Sequence, residues 1–293
     1  MLLTTVLAIT AFSVQDLDTA VRARAAKTPG TLSVYAKNLD TGATYSLRGD
    51  AKVRTASTIK LPIMVECYKA VADGRVKWDT VLPLKEEDIV SGSGVLFEFT
   101  PNAPIFLRDA MHLMIVVSDN TATNLILDKL TANAVNKTME SLGIMDTKSM
   151  RKVRGDGTKL KAPTGWSDAG LKEENKQYGL GMSTPRDMVK LLELLEQGKV
   201  VSPQASKEMI EVLKRQQLRD GIARRTGDMP VASKTGALDR LRSDVGILYT
   251  PKGRVAIAIT IDGMDKTDYS PDNAGLYLIA DVAQLVVDAL TKQ

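Results

Sequence analysis

At 293 residues the chain is long enough for one large domain or two small ones and can bury a substantial core. A composition of 44% hydrophobic and 25% charged residues is that of an ordinary soluble globular protein. The net charge of +4 is spread along the chain without the concentrated basic stripe of a nucleic-acid surface, which leaves at most a mild attraction to acidic ligands or an anionic cell surface.

The N-terminal stretch from Leu2 to Phe12 is apolar but too short to span a bilayer. With small residues around Ala11-Phe12-Ser13, residues 1–13 read as a signal peptide of a secreted or periplasmic protein, although no Lys or Arg precedes the apolar run. No other segment is apolar enough for a membrane span. The spacing of Val14, Leu17, Val21 and Ala25 predicts an amphipathic helix over 14–26. Alternation over 31–37, a turn at Asp40-Thr41-Gly42 and a return over 43–47 predict a hairpin. Helical periodicity then dominates, over 59–72, 107–117, 122–130, 134–142 and 186–195. Residues 148–182, rich in Gly, Lys and Asp, are too long for an ordinary connection and read as a functional or flexible loop. Strands follow at 245–249 and 254–261 around the Pro251-Lys252-Gly253 turn, and 274–290 is a closing apolar-faced helix.

Strands at both ends with helices between them predict an α+β fold, with a composite antiparallel sheet made from both chain ends and flanked by helices. An all-helical subdomain is inserted, and the active site is expected in the cleft between. The expected lobes are 14–54 with 206–293 (α/β) and 55–205 (helical, including the 148–182 loop).

Two residue types limit the chemistry. The single cysteine, Cys67, excludes an internal disulfide and multi-Cys metal sites, and its apolar neighbours make it a buried core thiol. The single histidine, His112, lies in a helical pattern and reads as structural. Serine triads with histidine are thereby excluded unless His112 serves, and one His with one Cys is a thin ligand supply for a metal-dependent hydrolase.

Three short patterns carry chemistry. Ser57-Thr58-Ile59-Lys60 opens an apolar helix, and residues three apart share a face, so the Lys60 amine can reach the Ser57 hydroxyl. A serine needs a base beside it, and a lysine, titrating near 10.4, is that base only when burial or another cation lowers its pKa. Ser118-Asp119-Asn120 combines a proton-relaying hydroxyl with an amide, and also suits an Asx turn opening the next helix. Lys234-Thr235-Gly236, after an edge-strand pattern at 229–233, suits a carboxylate-bearing substrate pressed against a strand edge. Each pattern alone has a bland reading as a helix cap, a turn or a charged strand end.

In this order the three form the trio of class A β-lactamases and penicillin-binding proteins. The intervening stretches Ser91-Gly92-Ser93-Gly94-Val95-Leu96, Leu107-Arg108-Asp109 and 113–124 agree. The chain therefore resembles a class A β-lactamase-type serine hydrolase, of the penicillin-recognising serine enzyme superfamily, over nearly its whole mature length. The resemblance implies that Ser57 attacks to form an acyl-enzyme, that Lys60 takes or relays its proton, and that Ser118 protonates the leaving nitrogen. Asn120 would bind the substrate's side-chain amide. Lys234, Thr235 and Gly236 would face its carboxylate, with Arg242 a further arm one residue short of the usual alignment. The backbone N–H groups of Ser57 and Ala237 would form the oxyanion hole, where one donor is typically worth about 2.7–4 kcal/mol of barrier. It implies no cofactor, no metal, no nucleic-acid partner and a monomer acting on a β-lactam or a peptidoglycan-like peptide.

One part of the family pattern is missing. Class A enzymes carry an E-x-x-x-N whose glutamate activates the water that clears the acyl-enzyme, and no such pattern occurs between Gly143 and Thr184. The nearest substitute is Glu173 with Gln177, beside Glu174, so the deacylation base is expected either displaced to one of these glutamates or absent. Three functions stay open: β-lactam hydrolysis, a D-Ala-D-Ala carboxypeptidase or esterase-like activity with slow deacylation, and non-turnover binding of β-lactams or muropeptides.

Overall fold

A computed structural model describes residues 14–154 and 164–291. The expected leader, residues 1–13, and the middle of the expected loop lie outside the described residues. The first half contains α1 (Val14–Ala25), β1 (Thr31–Asn38), β2 (Thr44–Leu47), β3 (Val53–Arg54), a 3-10 turn (Ala56–Ile59) and α2 (Lys60–Ala72). It continues through β4 (Val81–Pro83), β5 (Pro104–Phe106), α3 (Leu107–Val116), α4 (Asn120–Leu130) and α5 (Ala132–Ser141). The second half holds β6 (Lys148–Ser149), α6 (Asp168–Leu171), β7 (Gly181–Ser183), α7 (Pro185–Glu196) and α8 (Pro203–Leu213). It ends with β8 (Val231–Leu238), β9 (Leu241–Thr250), β10 (Gly253–Asp262) and α9 (Ala274–Leu290).

The principal sheet joins the two chain ends in the order β2-β1-β10-β9-β8, antiparallel throughout. Its central register pairs Thr31 with Asp262 and Asn38 with Val255. The β10 sequence reads as a nearly continuous apolar run because both faces of the sheet are covered. Along β10, Val255, Ile257, Ile259 and Ile261 enter a core with Leu17 and Val21 of α1 and Leu278, Val282 and Val286 of α9. The alternate residues Ala256 and Ala258 enter a second core shared with α2, α3, α4, α5, α7 and α8. The strand period of two thus divides the molecule into its layers.

The expected α+β architecture is the observed one, with α2 to α8, and the short strands β4 to β7, placed between the two chain segments that build the principal sheet. Two details differ from the sequence reading. The helix α8 crosses the expected lobe boundary at 205–206, and α7 lies on the inner face of the sheet against β1, β9 and β10. The 148–182 stretch is also less irregular than its composition suggests. β6 and β7 pair at Lys148–Met182 and Ser149–Gly181, and β7 pairs with β3, so both ends of the loop are tied to the strand preceding Ser57. Among the described residues no helix is long and apolar enough to cross a membrane.

Ile259 is fully buried in the outer core, where truncation leaves a cavity that flanking strands cannot collapse into. Ile259→Ala is expected to destabilise the protein by about 2–5 kcal/mol, read as a lowered urea midpoint at an unchanged slope.

Candidate active site

Ser57 sits in the 3-10 turn Ala56–Ile59, half-buried, and Lys60 is the first residue of α2 directly after it. Ala56 holds a φ of +48°, a left-handed conformation that a Cβ-bearing residue adopts only under constraint. The constraint is visible on the sheet side. A methyl added at Gly236 would stand 2.7 Å from the Thr55 carbonyl oxygen and 3.1 Å from the Ser57 amide nitrogen. β8 is the edge strand of the sheet, and only a side-chain-free residue lets it close on the turn. The main chain of 236–237 and the amide of Ser57 are thereby brought together, with Ala237 exposed and Thr235 half-buried at the cleft.

Lys60, Lys234 and Ser118 form one buried group. Lys60 Nζ donates to Ser118 O at 2.6 Å, Asn120 Oδ1 at 2.8 Å and Ser118 Oγ at 3.3 Å. Lys234 Nζ donates to the same Ser118 Oγ at 3.0 Å and to Thr235 O at 2.8 Å. Both lysines are wholly buried, and Ser118 is held at a φ of +58° between them. Burial, and after it the charge of Lys234, hold Lys60 well below the usual lysine range, with Asp119 pulling the other way. Burial pushes Lys234 down to about 7 against the pull of Asp244. An amine in this state can shed its proton near neutral pH. A neutral Lys60 would keep its two short donor bonds and free a lone pair. None of the hydrogen bonds of Lys60 among the described residues goes to Ser57; they go to Ser118 and Asn120.

Asp119 fixes the other wall. Its carboxylate caps α4 by accepting from Ala122 N at 2.8 Å, and it accepts from Val95 N at 2.6 Å and Leu96 N at 2.8 Å. Three main-chain donors on one buried carboxylate pin the 91–96 loop to the start of α4. Asn120 completes the join: its N–H donates to Ser93 O, and its side-chain amide donates to Ser91 O at 3.0 Å. The turn-and-cap reading and the site reading of Ser118-Asp119-Asn120 therefore hold in the same atoms.

One turn further along the same face of α4, Asn124 clamps Val153 by both main-chain groups, donating to its carbonyl at 2.9 Å and accepting from its N–H at 2.8 Å. The next turn carries Asp128, which receives Lys152 Nζ at 2.6 Å. The 150–153 segment is thus laid along the helix face that begins with Asn120, and the residue it presents one turn from Lys60's partner is the buried aliphatic Val153. Sequence reasoning missed Asn124 and Val153; the signal available was Asn124 four residues after Asn120, one helical turn on.

Glu173 and Glu174 are placed elsewhere. Both are exposed, in the 3-10 helix Glu173–Tyr178, and the Glu173 carboxylate is 86% exposed and paired with Lys176 at 2.7 Å. The short helix turns both toward water rather than toward the lysines. Arg242 is on β9 opposite Ala237, on the face it shares with Thr235. It donates to Leu238 O and Leu241 O, each at 2.6 Å, and to Asp268 O, with the Tyr269 ring 4.9 Å from its guanidinium carbon. Cys67 is buried, and burial pushes its thiol up. His112 is half-buried on α3, its Nδ1 3.1 Å from Arg108 O. Among the described residues no group of three or more His, Cys, Asp or Glu is placed to hold a metal ion.

The chain is 25% identical over 271 residues to "Beta-lactamase 3" of Bacillus cereus, covering 88% of this chain and 77% of that one. Among solved structures, a β-lactamase from Sphaerobacter thermophilus superposes with a TM-score of 0.81 at 30% identity, covering 95% of this chain and 98% of that chain. A mutant of PBP-A, solved as an acyl-enzyme complex with penicillin G, superposes with a TM-score of 0.78 at 28% identity, covering 95% and 97%. The family model described as the β-lactamase enzyme family matches residues 16–290, and the chain belongs to that family.

Proposed function

We propose that the protein is a serine acyl-transfer hydrolase of the class A type, in which β-lactams acylate Ser57 quickly and leave it slowly. The observation that carries this reading is the buried Lys60–Ser118–Lys234 group, in which one hydroxyl lies within hydrogen-bond distance of two lysines beside the Ser57 turn. Ser57 Oγ attacks the lactam carbonyl carbon while its proton passes to the neutral amine of Lys60. The carbonyl oxygen becomes an oxyanion facing the N–H groups of Ser57 and Ala237. As the C–N bond breaks, Ser118 gives its proton to the leaving nitrogen and is reprotonated from the lysine side. Asn120 keeps one amide hydrogen for a substrate carbonyl, since the other goes to Ser91. Lys234 and Thr235 face the substrate carboxylate, with Arg242 adding positive potential from the strand behind.

The second half-reaction needs a base for water. Val153, held by Asn124 on the helix face that begins with Asn120, offers none, and Glu173 and Glu174 are in solvent. This favours a penicillin-binding enzyme acting on D-Ala-D-Ala-like peptides, over a fast β-lactamase. Export to the cell envelope suits that substrate. The intact lysine–serine group argues against a protein that only binds.

Intact-protein mass spectrometry with excess benzylpenicillin is expected to show one adduct that persists for minutes or longer. The adduct is absent in Ser57→Ala, and clearance of the wild-type adduct within seconds would overturn slow release. Val153→Glu places a carboxylate on the loop segment beside α4 and is expected to speed loss of the adduct about tenfold or more, a lowering of the barrier by about 1.4 kcal/mol. Glu173→Gln is expected to leave acylation and release within about twofold of wild type, because a solvated surface pair of this kind is worth about 0–1 kcal/mol.

A further inference from the structure

Thr55 stands just before the Ser57 turn and is 1% exposed, yet its Oγ1 has no hydrogen-bond partner among the described residues. A buried hydroxyl in that state costs stability, and folded proteins as a rule supply a partner, often an ordered water. Thr55 lines a small cavity between the Ser57 turn, β7, the start of α7 and the inner face of the sheet. The cavity measures about 10 Å³, the room of a single water and too little for a larger ligand. Every polar side chain in its lining is a hydroxyl, which suits neutral water rather than an ion.

The hydrogens around the cavity can be counted, since each hydroxyl has one to give. Thr58 Oγ1 gives its own to Thr55 O at 2.8 Å, and Ser183 Oγ, which lies 2.7 Å from Thr147 Oγ1, gives its own to Thr184 O at 3.1 Å. Ser243 Oγ and Thr260 Oγ1 are 2.8 Å apart, so one donates to the other and the second keeps its hydrogen. Thr55 keeps its own. The cavity thus offers one hydrogen from the turn and one from the sheet, with lone pairs on Thr58 and Ser183 to accept in return. That set is the complement of one water, which accepts two hydrogen bonds and donates two.

The walls such a water would join are the two that build the candidate site. Ser243 pairs across β9 with Gly236, the residue that closes on the Thr55 carbonyl and the Ser57 amide. Val245, also in the lining, pairs with Lys234. Main-chain bonding ties the turn to β7, with Thr55 N donating to Gly181 O at 3.0 Å, while the principal sheet meets it by close packing at Gly236.

We propose that this cavity binds one water molecule, which joins the Thr55 hydroxyl to the Ser243–Thr260 pair and anchors the Ser57 turn to the sheet. Thr55 is then a positioning residue. It touches no substrate; it holds the strained turn at Ala56, and with it the Ser57 amide, against β8. The water site stands on the cavity, the unpartnered hydroxyl and the hydrogen count, and its effect on acylation rests on the function proposed above.

A crystal structure of the wild-type protein is expected to show a water within hydrogen-bond distance of Thr55 Oγ1 and of Ser243 or Thr260. Thr55→Val keeps the side-chain shape and removes the hydroxyl, and the water decides the sign of its effect on stability. With the water bound, the valine strips it of a partner and lowers the melting temperature by about 2–4 °C. Without it, the valine only removes an unpartnered polar group, and the melting temperature holds or rises. Acylation by benzylpenicillin is expected to slow about three- to tenfold in Thr55→Val, at an unchanged half-saturating concentration. Thr55→Ser restores the hydroxyl and is expected to acylate within about twofold of wild type. No water density in the cavity, or a valine variant as stable as wild type, would overturn the water site. A valine variant that acylates like wild type would overturn the positioning role. If the wild-type protein takes no β-lactam, the proposed function fails, and the density and the melting temperatures still decide the water site.

Discussion

Two amines that water does not reach share one serine hydroxyl, and much of the molecule is organised around that arrangement. Like charges so close, in a medium that screens poorly, cannot both be fully ionised near neutral pH. The site resolves the conflict by lowering both lysines and by setting an aspartate near each. Burial is the larger cause for both lysines, and each aspartate pulls back toward the charged form. The result is a set of groups that can exchange protons at neutral pH without histidine.

Such a group exists only where two bodies of structure meet. Lys60 comes from the first turn of α2 and Ser118 from the junction of α3 and α4, while Lys234 comes from the edge strand of the sheet. The strained turns at Ala56 and Ser118 lie at that seam, and each is over-determined by neighbours: Gly236 and Thr55 for the first, the two lysines for the second. Strain of this kind persists where surrounding packing enforces it, and it marks the site independently of any motif.

The sequence revealed the parts that depend on local pattern. Helices α2, α3, α4, α5 and α7 fall within two residues of their periodic segments, and α9 falls on it, since an apolar stripe at helical spacing must face a core. Ser57, Lys60, Ser118 and Lys234 were legible because residue type, spacing and order all agreed. What could not be read was anything fixed by long-range register. That Val153 lies in the clamp of Asn124 depends on how a loop lies along a helix. That Asp244 stands opposite Thr235 depends on pairing across a hairpin. Where the two glutamates stand could not be read for the same reason, because a matching spacing says nothing about which way a short helix turns.

The sheet that supplies Lys234 is joined at its centre by strands from opposite ends of the chain, β1 against β10. Contacts so distant in sequence carry a loop-closure cost that must be met before they reward the chain, which slows folding. During synthesis the helical middle can collapse while β1 still lacks its partner, since β10 is among the last elements to be made. Ser57 can then stand in a half-formed pocket, without Lys234, until the last strands arrive. The candidate site is thus timed by topology: it is complete only when the chain nearly is.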